Sequence, residues 1–304
     1  MRNSFSPEFK LFSPLLFIYR WLNFFRRRFV KGTVPPIPAI SIGNLAFGGT
    51  GKTPVTIAIA KHFLKKGKKV AIAIRGYGGK LKDVKAYPPG EDVNPCEAGD
   101  EASVLRENLK DAWIIVGKKR EISAELAAEH GADLLILDDG FQYLSLKKVE
   151  VVLHSSSIPE YYLREPLASL KFAHFILIPE GEELESEIPV FHYKLKPVEI
   201  PDGEVFLVCG IAHPERFFGL FESSRVKGRI SFPDHWSYND EDLKKIYRMA
   251  EGRVIVTTEK DFVKLKRLSQ FKGGIKILRW IAELDANFLT KLEEKLKKCF
   301  FEVK

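Results

Sequence analysis

Between residues 43 and 53 the chain reads Gly43-Asn44-Leu45-Ala46-Phe47-Gly48-Gly49-Thr50-Gly51-Lys52-Thr53. A short apolar run, 39–42, leads into this segment, and a run of helical period, 53–66, leads out of it. Strand, glycine-rich turn and helix in that order make a phosphate cradle. The glycines let backbone N–H groups turn inward around phosphate oxygens, and the helix N-terminus adds its positive end. Lys52 can reach the β- and γ-phosphates and the Thr53 hydroxyl can ligate Mg²⁺. Nucleotide binding is therefore assigned to Ala46, Phe47, Gly48, Gly49, Thr50, Gly51, Lys52 and Thr53. The strict G-x-x-x-x-G-K-[ST] pattern has glycine where this chain has Ala46, and Gly48 and Gly49 supply the flexibility instead.

Such a loop requires strands that feed helices, and the chain downstream alternates accordingly. Apolar runs at 69–74, 113–116, 134–137 and 149–153 read as strands, and 100–109 and 119–130 read as helices. This order gives an α/β fold: a P-loop NTPase-type, mostly parallel sheet with helices on both faces. Residues 179–204, rich in Pro, Glu and Gly, read as a linker with a pair of extended strands. A second, smaller α/β unit follows, with strands at 205–209, 226–231, 254–257 and 275–278 and helices at 214–222, 240–250 and 284–298. The expected organisation is an N-terminal amphipathic helix within 1–32, a nucleotide-binding domain over 33–185 and a smaller C-terminal domain over 186–304.

The strand at 134–137 ends in Asp138-Asp139-Gly140. Downstream of a phosphate loop, carboxylates at a strand end hold Mg²⁺ directly or through water, so Thr53, Asp138 and Asp139 form the expected metal set. No Asn-Lys-x-Asp base-reading motif is present, which argues against a GTPase. With three widely spaced cysteines and no C-x-x-C pair, neither a zinc ribbon nor a disulfide framework is suggested. A net charge of +8 favours an acidic partner without choosing one.

The stretch 11–25 is almost wholly apolar and runs into Arg26, Arg27 and Arg28. As a helix it is about 22 Å long, too short for a hydrocarbon core of roughly 30 Å. Leu15, Ile18, Leu22, Phe25 and Phe29 fall on one stripe, and Arg20, Asn23 and Arg27 on another. The alternatives are a buried core helix and a helix lying in a membrane leaflet. Trp21 and the arginine cluster favour the second.

Several further strings, in order, resemble the tetraacyldisaccharide 4′-kinase family: the phosphate loop with Pro54, Arg75-Gly76-Tyr77-Gly78, Gly99-Asp100-Glu101, Asp138-Asp139-Gly140-Phe141-Gln142, Arg164-Glu165-Pro166-Leu167, Pro214-Glu215-Arg216-Phe217, Phe232-Pro233-Asp234-His235 and Thr257-Thr258-Glu259-Lys260-Asp261. The resemblance covers about residues 15–265 and implies an ATP- and Mg²⁺-dependent kinase. Its expected reaction moves the γ-phosphoryl group to the 4′-hydroxyl of tetraacyldisaccharide 1-phosphate, giving lipid IVA. The implied setting is the cytoplasmic face of the bacterial inner membrane, as a peripheral monomer with no nucleic-acid partner. It further implies that Asp100 faces the acceptor hydroxyl, that His235 pairs with it, and that Lys52 acts on the phosphates. Arg120, Gln142, Arg164 and Glu165 are expected to contact substrate or support those that do. Asp100 could instead be a helix N-cap, and Arg120 a solvated helix start. Tyr143 stands where the family usually has His, which removes any ionic role near neutral pH. Two other readings use the same loop: a membrane-associated nucleotide-binding regulatory protein, and a kinase for another small molecule.

Overall fold

The computed structural model describes residues 13–47 and 51–302, with side chains from residue 20 onward. Gly48, Gly49 and Thr50 of the phosphate loop, and the side chains of Leu15 and Ile18, lie outside the described residues. Helix α1 spans Ser13–Phe29. Strand β1 (Ala39–Asn44) feeds α2 (Lys52–Lys65), and β2 (Val70–Ile74), β3 (Lys85–Tyr87), α3 (Pro95–Ala98) and α4 (Asp100–Asn108) follow. Next come β4 (Trp113–Val116), α5 (Arg120–Glu129), β5 (Leu134–Asp138), β6 (Val149–Leu153), β7 (Phe175–Pro179), β8 (Val190–Val198) and β9 (Val205–Cys209). The chain ends with α6 (Pro214–Phe218), β10 (Val226–Ser231), α7 (Asp240–Ala250), β11 (Val254–Thr258), α8 (Glu259–Leu265), β12 (Ile275–Leu284) and α9 (Ala286–Phe300).

The strands form one sheet in the order β10-β9-β11-β12-β8-β7-β6-β1-β5-β2-β4-β3. All neighbours are parallel except β3 with β4 and β8 with β12. The inner strands β1, β2, β5 and β6 are buried along their whole length, which is why they read as unbroken apolar runs. Strand β7 has the same character, although the sequence reading did not assign it. Strands β8 and β12 differ. Residues 179–204, expected to hold a pair of extended strands, contain one long strand, β8, of nine residues. Strand β12 runs beyond 278: its first part pairs with β11 and its second, Arg279–Leu284, pairs with β8. The sheet is thereby continuous from one half of the chain to the other. Helix 214–222 is shorter than expected, stopping at Phe218.

Helix α9 returns to the first half. Phe288, Leu292 and Leu296 are buried with Val149, Val151, Phe175 and Leu177. Burial of side chains of this size is worth about 1.5–3 kcal/mol each. Helix α4 is fixed at its far end by Arg106. The buried guanidinium donates to the carbonyls of Leu109, Lys110, Ala112, Tyr87 and Pro88 at 2.8–3.1 Å. The opposite end of α4, which carries Asp100, is thus held by a rigid element.

Candidate active site

Parallel β1 and β5 are in register with Ile42 opposite Asp138, so the phosphate loop and the acidic strand end emerge side by side. This is the crevice at the carboxyl ends of the strands where α/β sheets bind ligands. A side chain at Gly43 would collide with Phe141, so β1 approaches the 139–142 turn as closely as backbone permits. Gly51, at φ +79°, makes the turn into α2.

Lys52 extends its ammonium group to Asn44 Oδ1 at 3.2 Å and to Asp139 Oδ1 at 3.4 Å. Arg164 clamps Asp139 with two hydrogen bonds, at 3.2 Å and 2.5 Å, and donates to the same Asn44 oxygen at 2.8 Å. Asp139 adopts a left-handed φ of +55°, which aims its carboxylate at both cations. Burial opposes its ionisation, yet Lys52 and Arg164 outweigh that and bring its pKa down to about 2.

Asp138 behaves in the opposite way. Its carboxylate is buried and accepts from Thr56 Oγ1 at 3.1 Å and from Thr53 Oγ1 at 3.4 Å. Burial, with the nearby charge of Glu101, raises its pKa to about 6. An under-neutralised buried carboxylate beside a helix-start hydroxyl is a donor pair that favours a hard cation. Between the two aspartates, then, Asp138 is the one with an unmet demand for positive charge, and Asp139 already has two partners.

Asp100 is not an N-cap. Gly99, at φ +90°, holds that position with no side-chain cap, and Asp100 opens the helix behind it. The Asp100 carboxylate faces the second half of the chain, where His235 Nδ1 and Lys264 Nζ both meet Oδ2 at 3.1 Å. Burial works against the charge, but His235 and Lys264 prevail and hold the carboxyl below its ordinary pKa. The hydrogen bond to Asp100 in turn raises the His235 pKa against its partial burial. His235 has φ +58°, and its ring lies 5.5 Å from that of Tyr77. Glu101, next to Asp100, pairs with Lys260 at 2.8 Å.

Arg120 is buried, not solvated. It donates to the carbonyls of Gly117 at 2.9 Å and Asp138 at 3.3 Å, and burial lowers its pKa to about 10. Gln142 donates to the Asn44 carbonyl at 2.9 Å. Tyr143 accepts from the Arg120 backbone N–H at 3.1 Å and donates to Glu121; burial and that bond raise its pKa to about 12. Glu165 is buried and pairs with Arg27 of α1. Asn44, Lys264 and Arg27 are members of this network that the sequence reading did not assign to the site.

These features match a known group. The family model for the tetraacyldisaccharide-1-phosphate 4′-kinase, LpxK, matches residues 9–300. A tetraacyldisaccharide 4′-kinase of Desulfotalea psychrophila is 36% identical over 274 residues, covering 76% of this chain and 79% of that protein. One from Helicobacter acinonychis is 32% identical, covering 92% and 87%. The crystal structure of LpxK from Aquifex aeolicus in complex with ATP is similar with a TM-score of 0.81 and 28% identity, covering 95% of this chain and 99% of that one. By sequence and by fold, the chain belongs to the tetraacyldisaccharide 4′-kinase family.

Proposed function

We propose that the protein transfers the γ-phosphoryl group of ATP to the 4′-hydroxyl of tetraacyldisaccharide 1-phosphate, giving lipid IVA. The observation that carries the reading is the convergence of two charge systems at one crevice. Lys52, Arg164 and Asp139 flank the phosphate loop, and Asp100 stands at the start of α4 with Glu101 acting on Asp138. His235 and Lys264 both occupy Oδ2 of Asp100, so Oδ1 is the oxygen left to accept the hydroxyl proton. As the 4′-oxygen bonds to the γ-phosphorus, the bond from phosphorus to the β-phosphate oxygen breaks and the hydroxyl proton passes to Asp100. A loose transition state needs little base strength early, so an ionised, oriented carboxylate is sufficient. Lys52 meets the charge that develops on the transferred group. Thr53 and Asp138 would hold Mg²⁺, with Asp139 next to them. When bound, Mg²⁺ neutralises charge on the β- and γ-phosphates.

A peripheral position on the cytoplasmic face of the inner membrane is supported by the inversion of α1. Its apolar stripe points outward, with Leu22 59%, Phe25 47% and Phe29 80% exposed, whereas Arg27 is buried. A helix with its apolar face to solvent is suited to a leaflet surface. Among the described residues no helix is long and apolar enough to cross a membrane. On the same reading 33–185 and 186–304 act as two domains that close on the nucleotide, and the protein works as a monomer.

The test is a transfer assay with ATP, Mg²⁺ and tetraacyldisaccharide 1-phosphate in detergent micelles, with Asp100→Ala alongside. The expected result is a 4′-phosphorylated product, lost in the variant. ATP binding with no such product from the wild type would overturn the acceptor assignment.

A further inference from the structure

Helix α1 has two faces, and the inner one is attached to the nucleotide site. Arg20 donates to the carbonyls of Leu163 and, at 2.8 Å, Glu160. One helical stretch further on, Arg27 donates to both oxygens of Glu165, at 3.0 Å and 2.9 Å, and to the Phe141 carbonyl at 2.9 Å. Its guanidinium carbon lies 3.8 Å from the centroid of the Phe141 ring. The Arg27 side chain is 5% exposed and that of Glu165 is 1% exposed. Arg27 was expected to belong to a cluster facing lipid; it faces the protein.

Both segments that Arg27 grips are walls of the crevice. Residues 162–165 lie along the strand exit that becomes the phosphate loop. Phe47 N–H donates to the Tyr162 carbonyl, Arg164 N–H donates to Leu45 O, and Ala46 bridges Leu163. Arg164, between the two residues that α1 holds, is the clamp on Asp139 and Asn44, and Asn44 in turn accepts from Lys52. Phe141 sits two residues beyond Asp139 in the turn against Gly43. A buried ion pair is weak as a fastener, since apolar contacts secure a helix as well at lower desolvation cost. What a bidentate guanidinium pair adds is fixed orientation.

We propose that Arg27 is a positioning residue for the phosphate-binding site, so that α1 supports the geometry of Lys52, Asp139 and Arg164 as well as presenting an apolar face outward. The proposal rests on the kinase reading for its activity arm, and a nucleotide-binding arm stands apart from it.

The experiment uses the full chain in detergent micelles, with ATP and lipid acceptor varied separately, and titration of a fluorescent ATP analogue on the same proteins. Arg27→Met is expected to lower kcat on the order of 100-fold, as a small misplacement of reacting groups does. It should also weaken analogue binding, with KM for the lipid nearly unchanged. Arg27→Lys keeps the charge but not the fork, and is expected to recover thermal stability more fully than kcat. Phe29→Ser, on the outer face, should do the reverse: KM for the lipid rises and analogue affinity is kept. Arg27→Met combined with Glu165→Gln should be no worse than either alone, since both remove one link. Should Arg27→Met fail to fold, Arg27→Lys and Glu165→Gln carry the same comparison. Unchanged kcat and analogue affinity in a folded Arg27 or Glu165 variant, or a change confined to lipid KM, would overturn the proposal. If the wild type makes no phosphorylated lipid the kinase reading fails, and analogue binding by the Arg27 variants still decides the coupling.

Discussion

The two sides of the crevice are built in different ways. The phosphate side is assembled within one half of the chain: Asn44, Lys52, Asp138, Asp139 and Arg164 all come from elements around β1 and β5. The Asp100 side is assembled across halves, because Asp100 lies on α4 while His235 and Lys264 come from beyond β9. The seam that joins them is sorted by sign. Asp92, Asp100, Glu101 and Glu107 face Arg267, Lys264, Lys260 and Lys266, with acids on one flank and bases on the other. The contacts of the first side all lie within residues 44–164, whereas those of the second join α4 to residues 235 and 264.

The largest effects should separate the sides cleanly. Lys52→Ala is expected to reduce kcat by about 10³-fold or more, with loss of ATP affinity, because it removes charge from the transferred group. Steady-state kinetics with nucleotide titration checks this; retained ATP affinity would break the division. Asp100→Asn should cost about 10²–10⁴-fold in kcat with ATP affinity intact. A parallel fall in ATP affinity would mean that the two sides are one unit.

Lys264→Met should be intermediate and depend on pH. The ammonium group helps keep the Asp100 pKa below its ordinary value, so its loss raises that pKa. The acidic limb of the kcat profile then moves to higher pH, with a loss of about 10-fold at the low end that shrinks as pH rises. A uniform loss across the profile would assign Lys264 to packing alone. The smallest effect should come from salt. Raising ionic strength from about 0.05 to about 0.5 M shortens the screening length and weakens the partly exposed seam pairs, each worth about 0–1 kcal/mol. A fall of a few-fold in kcat, with ATP affinity less affected, is expected; equal sensitivity would count against the contrast.

The same contrast governs what could be read from the sequence. The phosphate side was legible because its chemistry is contiguous: a glycine loop, Lys52-Thr53 and an apolar strand ending in Asp138-Asp139 each carry a local signature. Asp100 and His235 are 135 residues apart, and no periodicity connects them; only the family resemblance put them together. Lys264 escaped notice because a lysine four residues after Lys260 reads as a solvated helix face. The helical stripe of Arg20, Asn23 and Arg27 already separates Arg27 from Arg26 and Arg28, but its pairing with Glu165, far along the chain, has no local signal. In the fold, the buried strands β1, β2, β5 and β6 announced themselves as apolar runs, whereas β8 and the far end of β12 are half-exposed and are defined by pairing, β8 with both β7 and β12.

The return of α9 to the first half has a consequence for synthesis. The surface formed by Val149, Val151, Phe175 and Leu177 is finished by Phe288, Leu292 and Leu296, which are synthesised well after it. Until then the nascent chain carries an uncovered apolar patch, a state that recruits chaperones or aggregates. The half that carries the phosphate loop therefore completes its core only once α9 is made, and a chain cut short before Ala286 would leave that loop on an incomplete core.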